Sequence, residues 1–117
     1  MVDASLELAH SIVDTLEEKK GEDILLLDLT GVAAFTNLFV ICSGGSERTL
    51  KALSNEVRRA VRETYQQRPL QVEGDSKSGW ILLDYGGVIL HLFSPTLREY
   101  YALEQLWSEG RVVLRMT

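Results

Sequence analysis

The sequence predicts an α/β fold: a single domain over residues 1–117, with a mixed β-sheet and helices packed on it. Three observations carry that expectation. Short apolar runs alternate with stretches of helical period, two of the runs flank a Tyr-Gly-Gly turn, and 117 residues suffice for one hydrophobic core but not for two. Apolar residues make up 45% and charged residues 25%, the balance of a globular domain rather than of a disordered tail.

The elements follow in order. Leu6, Ala9, Ile12, Val13 and Leu16 recur at three and four, the period of an amphipathic helix, and Gly21 is its expected stop. Residues 24–29 and 38–42 are near-continuous apolar runs, the pattern of strands covered on both faces, with Thr30-Gly31 as the turn between them. Ser43-Gly44-Gly45-Ser46 then breaks the pattern, and Ser46 has the side chain to cap the next helix. From residue 47 to about 67, Leu50, Leu53, Val57, Ala60, Val61 and Tyr65 form one apolar stripe, while Arg48, Lys51, Arg58, Arg59 and Arg62 gather opposite. Pro69 ends that helix, and residues 70–73 are expected as a short edge strand before the polar loop 74–79. Residues 80–84 and 88–93 form a hairpin turning at Tyr85-Gly86-Gly87. Thr96-Leu97-Arg98-Glu99 has the form of a capping box, so a last helix is expected from Thr96 to Trp107, closed by Gly110. Residues 112–114 then form a final strand or a tail packed on a neighbour.

The net charge of −5 favours a basic protein as partner and disfavours broad contact with nucleic acid, so no direct DNA contact is expected. The longest apolar runs fall far short of the roughly 20 residues of a membrane span. The acidic, helical start MVDASLELAHSIVDTLEEKK is unlike a secretory signal or a transit peptide, and a cytoplasmic location is expected. A single cysteine, Cys42, with only His10 and His91 beside it, offers no metal-ligand spacing; no metal and no cofactor are expected.

Trp80, Asp84 and His91 are unusual choices for plain strands, because a charge or an imidazole on a buried sheet needs a partner. Symmetric closure of the hairpin sets Trp80 opposite His91 and Leu82 opposite Ile89. Trp80, Leu82, Asp84, Ile89, His91 and Phe93 then share one face, and Ile81, Leu83, Val88, Leu90 and Leu92 share the other. The second face is aliphatic and suits packing under helices. The first mixes apolar bodies with polar handles, as protein interfaces do, unless one of the chain's own helices covers it. On the last helix, Tyr100, Tyr101, Glu104 and Trp107 fall on neighbouring turns, with Arg98 and Tyr101 beside the hairpin. Ser43-Gly44-Gly45-Ser46 lacks the pattern of a phosphate loop and reads as a turn, Cys42 as a core thiol, and the basic helix face as a solvated surface with RNA contact as the alternative.

Taken in order and spacing, five stretches carry a family pattern: 23–28 (DILLLD), 37–44 (NLFVICSG), 79–86 (GWILLDYG), 91–93 (HLF) and 98–107 (REYYALEQLW). They resemble the ribosomal silencing factor family (RsfS, or Iojap) over nearly the whole chain. The resemblance implies a nucleotidyltransferase-like α/β domain without enzymatic activity. It further implies a partner, the fourteenth protein of the large ribosomal subunit, at the surface where the small subunit docks; occupying it keeps the subunits apart and lowers translation when nutrients are short. Carried over by position, Trp80, Asp84, Tyr85, His91, Arg98 and Tyr101 are the expected partner-binding residues, with Leu82 from the same hairpin face. Gly87 stands where the family often has an acidic residue. Two alternatives remain beside this one. A nucleotidyltransferase-fold enzyme would use Gly45-Ser46 as its turn, but the following strand lacks a carboxylate pair, and Glu73-Gly74-Asp75 has the spacing only toward a loop. A homodimeric interaction module would bury the same hydrophobic face against a second copy.

Overall fold

The computed structural model describes residues 4–117. Helix α1 (Ala4–Glu18) buries Leu8, Ala9, Ile12, Val13 and Leu16, the stripe its periodicity predicts. Its end is a Schellman motif in which Gly21 N–H donates to the Leu16 carbonyl at 2.7 Å and Lys20 N–H to that of Glu17 at 3.2 Å. The left-handed residue there is Lys20 (φ 69°), not Gly21. Gly21 is required for another reason: a Cβ at that position would stand 2.5 Å from Cys42 Sγ.

Strands β1 (Glu22–Asp28) and β2 (Leu38–Ser43) follow, then α2 (Glu47–Tyr65). Ser46 caps α2 as expected, its Oγ accepting Thr49 N–H at 3.1 Å, and Gln66 closes it in the left-handed conformation. Strand β3 (Gln71–Asp75) is exposed along its whole length, as an edge strand would be, and leads into β4 (Trp80–Asp84) and β5 (Val88–Phe93). Helices α3 (Pro95–Tyr101) and α4 (Leu103–Leu106) precede β6 (Arg111–Met116), so the last apolar stretch is a strand and not a tail. The six strands form one sheet in the order β3-β4-β5-β2-β1-β6, antiparallel throughout except for the β2–β5 pair, the mixed sheet the element order predicts.

Strands β1, β2 and β5 are central and covered on both sides, which is why their sequences run apolar without alternation. One side lies under α1 and α2 and includes Ile24, Leu26, Val40, Cys42, Ile81, Leu83, Leu90 and Leu92. The other holds Leu25, Leu27, Phe39, Ile41, Ile89 and Phe93, under Trp80, Leu97, Leu103 and Trp107.

Two expectations need correction. Trp80 pairs with Phe93, Leu82 with His91 and Asp84 with Ile89, two residues along from the expected partners. The cause is the turn: Tyr85 N–H still donates to the Val88 carbonyl at 2.8 Å, so the reversal falls on Gly86 and Gly87, with Gly86 in the left-handed region (φ 89°) that glycine enters freely. A shift of two preserves parity, so the two faces are those the alternation predicts. The second correction concerns the last helix. Its cap is Ser94, whose Oγ accepts Leu97 N–H at 3.2 Å, because Pro95 fits the first helical position, where no N–H is needed; Thr96 is already inside. The helix then breaks at Ala102 (φ 46°, ψ 50°), so residues 96–107 form no single stripe.

Gly21→Ala is expected to lower unfolding free energy by about 1–3 kcal/mol through overpacking. Part of that loss should be recovered when Cys42→Ala removes the opposing sulfur, as a positive coupling in a denaturant double-mutant cycle. Strict additivity of the two losses would place the strain elsewhere.

Candidate partner-binding site

Trp80 opens the site. Alternation along β4 turns its ring away from α1 and α2, where it lies 4.8 Å from the Phe93 ring and 4.7 Å from that of Tyr101, centroid to centroid. Its indole N–H donates to His91 Nδ1 at 3.2 Å. His91 is only 4% exposed, with Phe39 edge-on to it at 4.5 Å. Burial pushes its pKa down to about 4, so the imidazole is neutral at physiological pH. With Nδ1 accepting, the proton lies on Nε2, which is buried without a hydrogen-bond partner among the described residues. His91 therefore holds the indole from beneath.

Arg98 plays a similar part from α3. It is buried; Nη1 donates to Ser43 Oγ at 2.9 Å and to the Asp23 carbonyl, while Nε and Nη2 donate to Glu104 Oε1 at 3.0 and 2.8 Å. One guanidinium thus ties α3 and α4 to the ends of β1 and β2 and sets Tyr101 beside Trp80. A planar fork with several donors can do this; an ammonium on a flexible stem cannot reproduce it.

Above this scaffold lies an open hollow of ≈ 280 Å³ lined by Glu73, Gly74, Ser78, Trp80, Leu82, Leu97 and Tyr101. Its floor is aromatic and aliphatic, and a carboxylate sits on its rim. Tyr101 is 45% exposed, and Tyr100, exposed further still, stands edge-on to it at 5.0 Å. Such a hollow suits an apolar side chain carried on a basic segment.

Of the expected site residues, Trp80, Leu82 and Tyr101 come together at the surface, and His91 lies beneath them. Arg98 is the buried clamp. Asp84 is spent on the turn, its Oδ1 accepting Gly86 N–H at 2.7 Å. Tyr85 packs on the opposite side, within the core under α1 and α2, where burial raises its phenol pKa to about 12. Glu73 and Leu97 were missed. Glu73 pairs directly with Leu82 across the β3–β4 ladder, a neighbour that the edge-strand reading of residues 70–73 already contained once the strand is docked. Leu97 lines the hollow from the first turn of α3. Elsewhere, burial raises the Cys42 thiol to about 12, the reverse of an activated nucleophile. Glu73 and Asp75 lie on the exposed edge strand, and Asp75 Oδ1 accepts Ser78 N–H at 2.8 Å in the β3–β4 turn. Among the described residues, no helix is long and apolar enough to cross a membrane.

The family model described as "Ribosomal silencing factor during starvation" matches residues 2–116. A Halalkalibacterium halodurans protein named Ribosomal silencing factor RsfS is 32% identical over 92% of this chain and 91% of its own length. A mouse protein named Mitochondrial assembly of ribosomal large subunit protein 1 is 29% identical over 83% of this chain and 43% of its own. A crystal structure of a Chromobacterium violaceum protein superposes with a TM-score of 0.85 at 31% identity, covering 91% of this chain and 88% of that one.

Two outcomes follow from the scaffold. Because the folded pKa of His91 lies below the ordinary 6.5, the unfolded chain takes up its proton first. The His91 contribution to stability is thus complete above pH ~6.5 and declines as pH falls toward 4, with a slope of at most about 1.4 kcal/mol per pH unit. Denaturant titrations of wild type and His91→Phe across that window should diverge accordingly; parallel curves would mean that the imidazole is solvated. Arg98→Met, which leaves Glu104 and Ser43 unpaired, should cost about 2–3 kcal/mol in the same measurement at pH 7.

Proposed function

The chain belongs to the ribosomal silencing factor family, and from that premise we propose that it binds the large ribosomal subunit through the fourteenth ribosomal protein, at the surface where the small subunit docks. By occupying that surface it keeps the two subunits apart and represses translation when nutrients are limiting. The observation that carries this reading is the aromatic hollow between Trp80, Leu82, Leu97 and Tyr101, with Glu73 on its rim. A few large apolar side chains in a desolvated centre supply most of the affinity of such interfaces, and complementary charge speeds encounter. The acidic chain, at −5, suits a basic ribosomal protein.

No bond is made or broken in this mechanism. The factor and the small subunit compete for one surface, so the fraction of blocked large subunits rises with factor concentration relative to its dissociation constant. The buried clamp serves that competition by presetting Trp80 and Tyr101, which reduces the ordering cost of binding.

Homodimerisation through the same face in the free state is a second reading, favoured by the exposure of Tyr100 beside Tyr101. A dimer would then dissociate on the ribosome, and sedimentation across concentrations distinguishes it from a permanent monomer.

Co-sedimentation with separated bacterial ribosomal subunits is the direct test. Wild type should pellet with the large subunit only, and Trp80→Ala and Tyr101→Ala should each weaken retention by about 2 kcal/mol or more, roughly 30-fold in dissociation constant. Folded variants that bind like wild type would move the interface elsewhere on the chain.

A further inference from the structure

On the opposite side of the sheet from the hollow, the C-terminal half of α2 and the turn into β3 bring Arg58, Arg59, Arg62 and Arg68 around one open cleft of ≈ 660 Å³, completed by Glu63 and Pro69. The carboxylates of Glu56 and Glu63 are matched by Arg59, at 2.6 and 3.1 Å, together with Lys19, 4.0 Å from Glu56. Arg58, Arg62 and Arg68 are exposed and form no ion pair among the described residues. Three uncompensated guanidinium groups thus converge on a chain whose net charge is −5. The α2 dipole accounts for a cation in its last turn, where Arg62 stands, but not for Arg58 a turn earlier or Arg68 beyond the helix.

The cleft also adjoins the hollow around the β3 edge. Gly74 lines the hollow, and the same glycine, with Val72 and Asp75, lines a groove that reaches Lys51 and Arg58. A partner seated on Trp80 and Tyr101 therefore has its surroundings within reach of the arginines.

We propose that Arg58, Arg62 and Arg68 grip the phosphate backbone of ribosomal RNA next to the protein docked in the hollow, an inference that rests on the ribosome-binding reading above. A ribosomal surface offers two chemistries, basic protein and polyanionic RNA. The cleft repels the first and fits the second, since guanidinium forks match phosphate oxygens and fix position without reading sequence. Joining the two contacts on one rigid domain makes the second intramolecular once the first has formed. The factor then discriminates an assembled large subunit, where protein and RNA lie side by side, from the free ribosomal protein.

The test measures binding to purified large subunits over a series of monovalent salt concentrations for wild type, Trp80→Ala and the triple variant Arg58→Gln/Arg62→Gln/Arg68→Gln, with thermal melts by circular dichroism confirming the fold. The triple variant should bind about tenfold or more weakly at low salt, converge on wild type at high salt, and lose about two units from the slope of log affinity against log salt. Trp80→Ala should bind weakly at every salt with the wild-type slope. A triple variant with wild-type affinity and slope overturns the RNA contact and leaves the hollow reading standing, whereas wild type that fails to bind large subunits overturns both. A photo-cross-linking residue placed at Gln67, beside the cleft, should label ribosomal RNA; capture of a ribosomal protein there instead would overturn the assignment of the cleft to RNA.

Discussion

The need to cover both faces of the central strands governs this molecule. β1, β2 and β5 are apolar on each side, so two layers must be laid over one sheet, and the chain supplies them unequally. Helices of 15 and 19 residues cover one face. The other receives pieces of 7 and 4 residues, too short to span it, and the aromatic rings of Phe39, Phe93, Trp80 and Trp107 fill most of the remainder. What they leave uncovered is the hollow at Trp80 and Tyr101. The proposed binding surface is the unfinished part of a core, which explains why it is apolar, rigid and adjacent to buried residues.

Short helices bury little apolar area and are held by polar ties instead. Arg98 provides most of them, linking two helices and two strand ends through a single group, and its partners, a backbone carbonyl, a buried hydroxyl and a half-buried carboxylate, keep the guanidinium satisfied. His91 provides another. In place of a leucine it costs a polar atom without a partner among the described residues, and in return it accepts a hydrogen bond from the indole N–H and holds the ring of Trp80, the most prominent residue of the proposed site. Both residues act by holding others in position. Their value lies in the rigidity of the face rather than in any surface of their own.

The charge distribution has the same division of labour. Acid residues dominate overall and suit a basic partner, but the end of α2 reverses the sign locally around the edge strand β3. An edge strand with open backbone groups invites aggregation, and here charged side chains flank it: Glu73 and Asp75 within it, Arg68 before it. The same charges that protect the edge place an apolar hollow and a basic cleft on either side of it.

Much of this was legible in the chain itself. The apolar and amphipathic segments, the Ser46 cap, the hairpin and its two faces all follow from local pattern, because alternation, the 3.6-residue repeat and capping depend only on neighbours in sequence. The family pattern likewise marked Trp80 and Tyr101. What local pattern could not decide was anything set by a distant partner. Two hairpin registers of equal parity bury the same residues, so only the glycine turn selected between them. The capping-box pattern pointed to Thr96, but Pro95 takes the first helical position and the cap falls on Ser94. The sequence by itself determined which residues face which side of the sheet; the tertiary structure decided which of them stay uncovered. His91 lies beneath Trp80 and against Phe39, Arg98 is enclosed by groups from residues 23, 43 and 104, and Tyr85 turns to the far core. Exposure is fixed by what packs on top, and that is a property of chain segments far apart in sequence.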